Sequence, residues 1–148
     1  MNTEGKTPIF SFGSNHPAQI AERLELDLDY VLDHCVPCTL RGYKRAYESR
    51  APRWENKSAA TIVKDDHSEV NAFVFYMTPD QVAKMDEYEG VPWFYERVPV
   101  ELIDRSGNPF SGEVYIMNPT GVFDYPCKEY LDRCSLSFMA FHYLHSDL

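Results

Sequence analysis

Two stretches of this chain hold residue types that can do chemistry. The first is Ile9-Phe10-Ser11-Phe12-Gly13-Ser14-Asn15. Ile9, Phe10 and Phe12 have the bulk and β preference of a buried strand. Gly13, Ser14 and Asn15 then break it, because glycine adopts backbone angles that other residues resist, and Ser and Asn favour turns. An amphipathic helix follows, with Ile20 and Leu24 on one face, Asn15 or Ser14 to cap it and Pro17 in its first turn. Backbone N–H groups left unpaired between a strand and a helix bind carboxylates or a developing oxyanion. The same stretch also fits a plain strand, turn and helix with no chemistry.

The second stretch is Thr78-Pro79-Asp80-Gln81 through Gly90. Threonine can cap a helix, proline suits its first position, and Gln81 completes a capping box. Gly90 is a normal C-terminal stop. Val82, Met85 and Glu89 share one face at spacings of three and four. Glu89 therefore falls on the apolar stripe, one residue before the helix breaks. Loss of water and the negative end of the helix dipole both raise a carboxylate pKa there. A raised carboxylate is what a general base needs. The plain alternative turns Glu89 outward, as Asp86 and Glu87 are expected to turn.

Other reactive types are less organised. Cys35 and Cys38 form a C-x-x-C after His34, but the motif leads into Thr39-Leu40, which reads as a strand rather than the helix start that a redox pair wants. Cys127 and Cys134 are seven apart and do not complete a zinc set. The four cysteines read as reduced structural thiols. His142 and His145 are too sparse for a ligand set and read as surface or tail residues.

The 148 residues suffice for one domain, expected over 1–148, with a real core. Hydrophobic residues at 44% and aromatics at 14% argue against disorder. A net charge of −9 repels phosphate backbones and anionic lipid, so neither nucleic acid nor a membrane is expected as a partner. Met1 to Lys6 is polar and reads as no secretory signal, and no apolar run reaches the ~20 residues of a membrane helix. The expected location is cytoplasmic.

Between the two stretches, Glu25 to Asp33 reads as an acidic connection. Val36 to Tyr47 carries β-type residues around Gly42, and Arg50 to Ser58 reads as a loop. Ala59 to Lys64 reads as a strand, Asp65 to Ser68 as a polar turn, and Val70 to Met77 as a strand apolar on both faces and covered on both. Beyond Gly90 come a short Pro-Trp connection, strands at Arg97–Ile103 and Gly112–Met117 about a turn at Arg105–Pro109, a loop over Asn118–Pro126, and a final helix. No internal repeat or linker divides the chain.

Phe-Gly-Ser-Asn at 12–15, Leu40-Arg41-Gly42-Tyr43-Lys44 into Tyr47, Ala60-Thr61-Ile62, and Met85-Asp86-Glu87-Tyr88-Glu89-Gly90-Val91-Pro92 through Tyr95 occur in one order and spacing. In these the chain resembles the γ-glutamylcyclotransferase family from about Ile9 to the final helix. The family's hallmark is a Tyr-Gly-Ser-Asn turn paired with a later Leu-Asp-x-x-Glu-Gly segment. The resemblance implies an α+β fold, a single compact domain with a mixed barrel-like sheet and a few flanking helices. It implies attack of a substrate's free α-amino group on its own γ-carbonyl, giving 5-oxoproline and a free amine or amino acid. Glu89 matches the family's catalytic acid/base. The N–H groups of Phe12, Gly13, Ser14 and Asn15 match the turn that grips the α-carboxylate or the γ-carbonyl oxygen. Tyr95 and Tyr130 match pocket tyrosines, and both also fit as amphipathic core residues.

No metal or cofactor is implied, because the nucleophile is already tethered to the carbonyl it attacks. The partner implied is a small γ-glutamyl compound; the oligomeric state is not implied. An amine near pKa ~8–9 and a glutamate near ~4.3 are mismatched by roughly 4 units, about 5–6 kcal/mol. Phe12 stands where the family has Tyr, so that hydroxyl is absent. The chain stops soon after Tyr130, where longer members continue and help close the pocket, so a more open site is expected. Three activities fit: a cyclotransferase on γ-glutamyl amino acids or peptides, one on γ-glutamyl amines or acylated carriers, and a binding module without catalysis.

Overall fold

The computed structural model describes residues 1–13, 15–50, 58–117 and positions 132, 134 and 135. Five strands carry the apolar residues into a closed barrel: β1 (Thr7–Ser11), β2 (Cys35–Arg50), β3 (Ser58–Met77), β4 (Tyr95–Ile103) and β5 (Pro109–Met117). Helices α1 (Pro17–Leu24), α2 (Leu28–Asp33) and α3 (Pro79–Glu89) flank it. Around the barrel the order is β1-β3-β2-β4-β5. β1 lies parallel to β5, through Ile9 with Glu113 and Phe10 with Val114, while the other described pairings are antiparallel. The sheet is therefore mixed and the fold is α+β, as the resemblance implies. β1 and β5 can approach because residue 112 is glycine: a Cβ there would stand 2.9 Å from the Pro8 carbonyl oxygen and 2.7 Å from Leu102 Cδ1.

Ile9, Phe10, Leu40, Ile62, Phe73, Phe75, Met77 and Leu102 fill the core. Val70 to Met77 is buried at nearly every position, which is the double coverage that its unbroken apolar run requires.

Three local expectations need correction. The polar turn at 65–68 does not separate two strands; β3 runs through it. Its register shows why the pattern misleads: Arg41 faces Glu69 while Tyr43 faces Lys64, so Asp65 to Ser68 stand opposite Gly42 as a wide bulge. Asp65 Oδ1 accepts from the His67 N–H at 3.1 Å and shapes it. Next, the acidic connection contains α2, because Asp27 caps it by accepting from the Asp29 N–H at 2.9 Å. Finally, α1 is capped by His16, whose Nδ1 accepts from the Gln19 N–H at 3.2 Å, and not by Asn15.

The second helix signal is realised as read. Thr78 and Gln81 form the capping box, Pro79 opens α3, and Gly90 ends it at φ 71°, in the left-handed region. Ser14, residues 51–57 of the loop, Cys127, Tyr130, His142, His145 and most of the final helix lie outside the described residues. Among the described residues no helix is long and apolar enough to cross a membrane.

Candidate active site

β1 delivers Phe12 and Gly13 to one end of the barrel, and the helix signal after them carries the chain away. The turn is fastened from behind. Arg45 of β2 donates from Nε to the Phe12 carbonyl oxygen at 3.0 Å and from Nη2 to the Asn71 carbonyl at 3.4 Å. A trans peptide points its C=O and N–H in opposite directions. Holding the Phe12 oxygen therefore fixes the direction of the Gly13 N–H, and the guanidinium charge polarises that peptide.

Asn15 links this turn to the second stretch. Its Nδ2 donates to Glu89 Oε1 at 2.6 Å, and its Oδ1 accepts from Arg23 Nη1 at 2.7 Å and from Gln19 Nε2 at 3.3 Å. The amide orientation is self-consistent: its acceptor meets donors and its donor meets a carboxylate. Arg23 Nη1 also lies 3.4 Å from Glu89 Oε1. These side chains are withdrawn from water. Glu89 retains 8% of its side-chain exposure and Arg23 10%. Arg23 is also covered by Tyr88, whose ring centroid lies 5.2 Å from the guanidinium carbon.

Glu89 is thus buried with Val82 and Met85, as the helical spacing predicts. Glu89 therefore stands between the apolar face of α3 and the donors Arg23 and Asn15.

Three residues earlier on α3, Asp86 is not the outward-facing residue expected. It accepts from Arg97 at both oxygens, Nε to Oδ1 at 3.1 Å and Nη2 to Oδ2 at 3.3 Å, and from the Tyr115 hydroxyl at 2.6 Å. Arg97 also pairs with Glu113. The network binds α3 to β4 and β5, which fixes where α3 ends and so where Glu89 stands. Burial, the hydrogen bond to Asp86 and the nearby charges of Asp86 and Glu89 push the Tyr115 phenol far above its ordinary 10.0.

Of the residues singled out in the sequence, the structure joins Asn15 to Glu89 directly and sets Phe12 and Gly13 at the same turn. Tyr95 is buried at the start of β4, opposite Met117, after a cis Val91–Pro92 link. Ser14 and Tyr130 are outside the described residues. The sequence reading missed Arg23, Gln19, Arg45 and the Asp86 network. One signal was available for the first two: Asn15, Gln19 and Arg23 are spaced by four, a polar stripe beside the apolar pair Ile20 and Leu24.

The remaining reactive types do not gather. Cys35 and Cys38 are three apart on β2, a separation that sends side chains to opposite faces of a strand. Burial pushes both thiols far above their ordinary 9.0, which keeps them protonated and unreactive. Among the described residues no group of three or more His, Cys, Asp or Glu could hold a metal ion. A groove of about 400 Å³ between β2 and β4, lined by residues such as Arg41, Tyr43, Pro99 and Glu101, contains none of Asn15, Arg23, Asp86 and Glu89.

Known proteins share this architecture. The structure of an uncharacterized human protein superposes with a TM-score of 0.78 at 19% identity, covering 97% of this chain and 86% of that one. A gamma-glutamyl cyclotransferase gives 0.74 at 19% identity, with 95% and 85% covered. A yeast gamma-glutamyl cyclotransferase specific to glutathione gives 0.58 at 15% identity, with 92% and 88% covered. At such identities the likeness is one of fold. No curated protein sequence matches the chain. A sequence model of the gamma-glutamyl cyclotransferase, AIG2-like family matches residues 9–133, the barrel from Ile9 onward and the polar cluster included, and to that family the chain belongs.

Proposed function

We propose that the chain is a cyclotransferase that converts a γ-glutamyl compound to 5-oxoproline and a free amine or amino acid, with Glu89 as acid/base. The observation that carries this reading is the 2.6 Å contact between Asn15 and a buried Glu89, which joins the strand–helix turn to the carboxylate across 74 positions of sequence. Glu89 takes a proton from the substrate's α-ammonium group. The freed nitrogen attacks the γ-carbonyl carbon, and turn amides such as the Gly13 N–H hold the developing oxyanion. The tetrahedral intermediate collapses, the bond to the leaving nitrogen breaks, and the Glu89 carboxyl returns its proton to that nitrogen; the restored carboxylate then takes the extra proton from the ring nitrogen and hands it to the departing amine, which leaves as an ammonium. Protons balance, and the base is restored. Tyr95, and Tyr130 from the last segment, would line the substrate cavity.

The test is release of 5-oxoproline, followed chromatographically, from γ-glutamyl dipeptides, glutathione and γ-glutamyl amines. Wild type should release it from at least one class, and Glu89→Gln should lower the rate on the order of 10²–10⁴-fold. Release only from amines would select the γ-glutamylamine form of the activity. Binding with no release across the panel would leave a non-catalytic module, and equal rates in wild type and variant would end the role of Glu89.

A further inference from the structure

An asparagine just before a helix ordinarily turns its side-chain oxygen to the helix's first N–H groups. Asn15 does not, because His16 takes that place on α1. The Asn15 oxygen instead accepts from Gln19 Nε2 at 3.3 Å and Arg23 Nη1 at 2.7 Å, four and eight residues further on. Both donors are buried. Together they dictate which way the amide points. Turned over, its NH₂ would meet two donors and its oxygen a carboxylate, so every one of these contacts would be lost. As it stands, Nδ2 is aimed at Glu89 Oε1 and donates at 2.6 Å. Glu89 is the last residue of α3, carries a side chain with three rotatable bonds, and has to reach both the attacking and the leaving nitrogen.

We propose that the side chain of Asn15 is a positioning residue: a strut that holds the Glu89 carboxylate at a set distance from the turn amides. This rests on the cyclotransferase reading and gives Asn15 a part in it separate from that of its backbone N–H. The amides that hold the oxyanion and the group that moves the proton belong to segments 74 positions apart, and the Asn15 amide bonds one to the other. Its short side chain leaves little slack between them. A shift of about 1 Å in such a gap can cost on the order of 10²-fold in rate, because the nitrogen, the carbonyl carbon and the base must line up together. Gln19 and Arg23 act one step behind, by fixing the direction of the amide.

The experiment measures 5-oxoproline release from γ-glutamyl-alanine in three variants that circular dichroism shows to be folded. Asn15→Ala should lower kcat on the order of 10–100-fold and leave KM within about threefold, since the strut acts on the base rather than on bound substrate. Asn15→Gln keeps the amide on a stem one methylene longer and should recover part of kcat. Asn15→Asp keeps the outline and an acceptor for Gln19 and Arg23, but sets an oxygen where the NH₂ stood. Two carboxylate oxygens that close cannot both be ionised, and the shared proton occupies the base. Asn15→Asp should therefore be slower than Asn15→Ala, the reverse of the order expected for a residue that only fills space. A loss confined to KM, an unchanged kcat, or Asn15→Asp faster than Asn15→Ala overturns the proposal.

Crystal structures of Asn15→Ala and Asn15→Gln separate this proposal from the reading it rests on, because they need no turnover. The Glu89 carboxylate should be displaced, or spread over more than one rotamer, in Asn15→Ala and less so in Asn15→Gln. A carboxylate unmoved in both overturns the strut even where wild type is an active cyclotransferase. If wild type releases no 5-oxoproline, the cyclotransferase reading fails, and the position of Glu89 in the two variants still decides whether Asn15 holds it.

Discussion

Two carboxylates on one helix, Asp86 and Glu89, meet opposite treatment three residues apart. Asp86 keeps 24% of its side-chain exposure and receives a two-pronged Arg97 contact plus a phenol at 2.6 Å. Glu89 keeps 8% and meets its guanidinium through one nitrogen at 3.4 Å. The same Glu89 oxygen also accepts from Asn15 Nδ2 at 2.6 Å. A carboxylate that only holds a helix in place should have strong, geometrically matched partners, as Asp86 has. A carboxylate that must take and return a proton should be withdrawn from water, as Glu89 is. Burial alone does not separate the two roles; burial together with partner geometry does.

The largest effect should come from Glu89→Gln, which removes the proton acceptor and keeps the shape. Release of 5-oxoproline should fall on the order of 10²–10⁴-fold while circular dichroism and a single urea transition show a folded protein. Asp86→Ala should do the reverse. It leaves the buried Tyr115 hydroxyl without its acceptor and removes half of Arg97's pairing, which should cost about 2–3 kcal/mol in a urea melt. In the protein that remains folded, kcat/KM should fall by less than about tenfold. If Asp86→Ala abolishes turnover at full stability, the contrast between the two acids is wrong.

Arg45→Met tests the turn that faces Glu89. The substitution frees the Phe12 carbonyl and lets the Phe12–Gly13 peptide reorient, so kcat should drop on the order of tenfold with KM changed less. A change confined to KM would place Arg45 in substrate binding instead.

The parts that could be read from sequence were those governed by local physics. The α3 capping box, the Gly90 stop and the buried stripe of Val82, Met85 and Glu89 depend on residues within four positions of one another. The role of Asp86 does not. Nothing near it in sequence announces Arg97, eleven positions on, or Tyr115, twenty-nine on; only barrel closure brings β4 and β5 to that helix. The bulge at 65–68 failed for a related reason. Four polar residues in a row look like the end of a strand, and only a partner that pairs on both sides of Gly42 shows that the strand continues. His16 took the cap from Asn15 because tertiary contacts with Glu89 and Arg23 claimed the Asn15 side chain.

The smallest effect links the two acids through Tyr115. Burial first, then the Asp86 hydrogen bond and the charges of Asp86 and Glu89, hold its proton well above the ordinary 10.0. The folded protein therefore binds that proton more tightly than the unfolded chain does. Stability from this source is complete below about pH 10 and is lost as pH rises above it. The loss approaches about 1.4 kcal/mol per pH unit for one retained proton. Urea melts between pH 9.5 and 11 should show a shallower decline in Tyr115→Phe than in wild type; the buried Cys35 and Cys38 thiols add the same downward slope to both. In Glu89→Gln, removing one of the charges that hold the proton should move the spectroscopic titration of the buried phenol downward by a smaller amount than Asp86→Asn does, because Glu89 ranks behind Asp86 among the causes. If the two substitutions moved it equally, the charge of Glu89 would be as tightly coupled to the barrel wall as that of Asp86, and the distinction between an anchoring acid and a working one would fail.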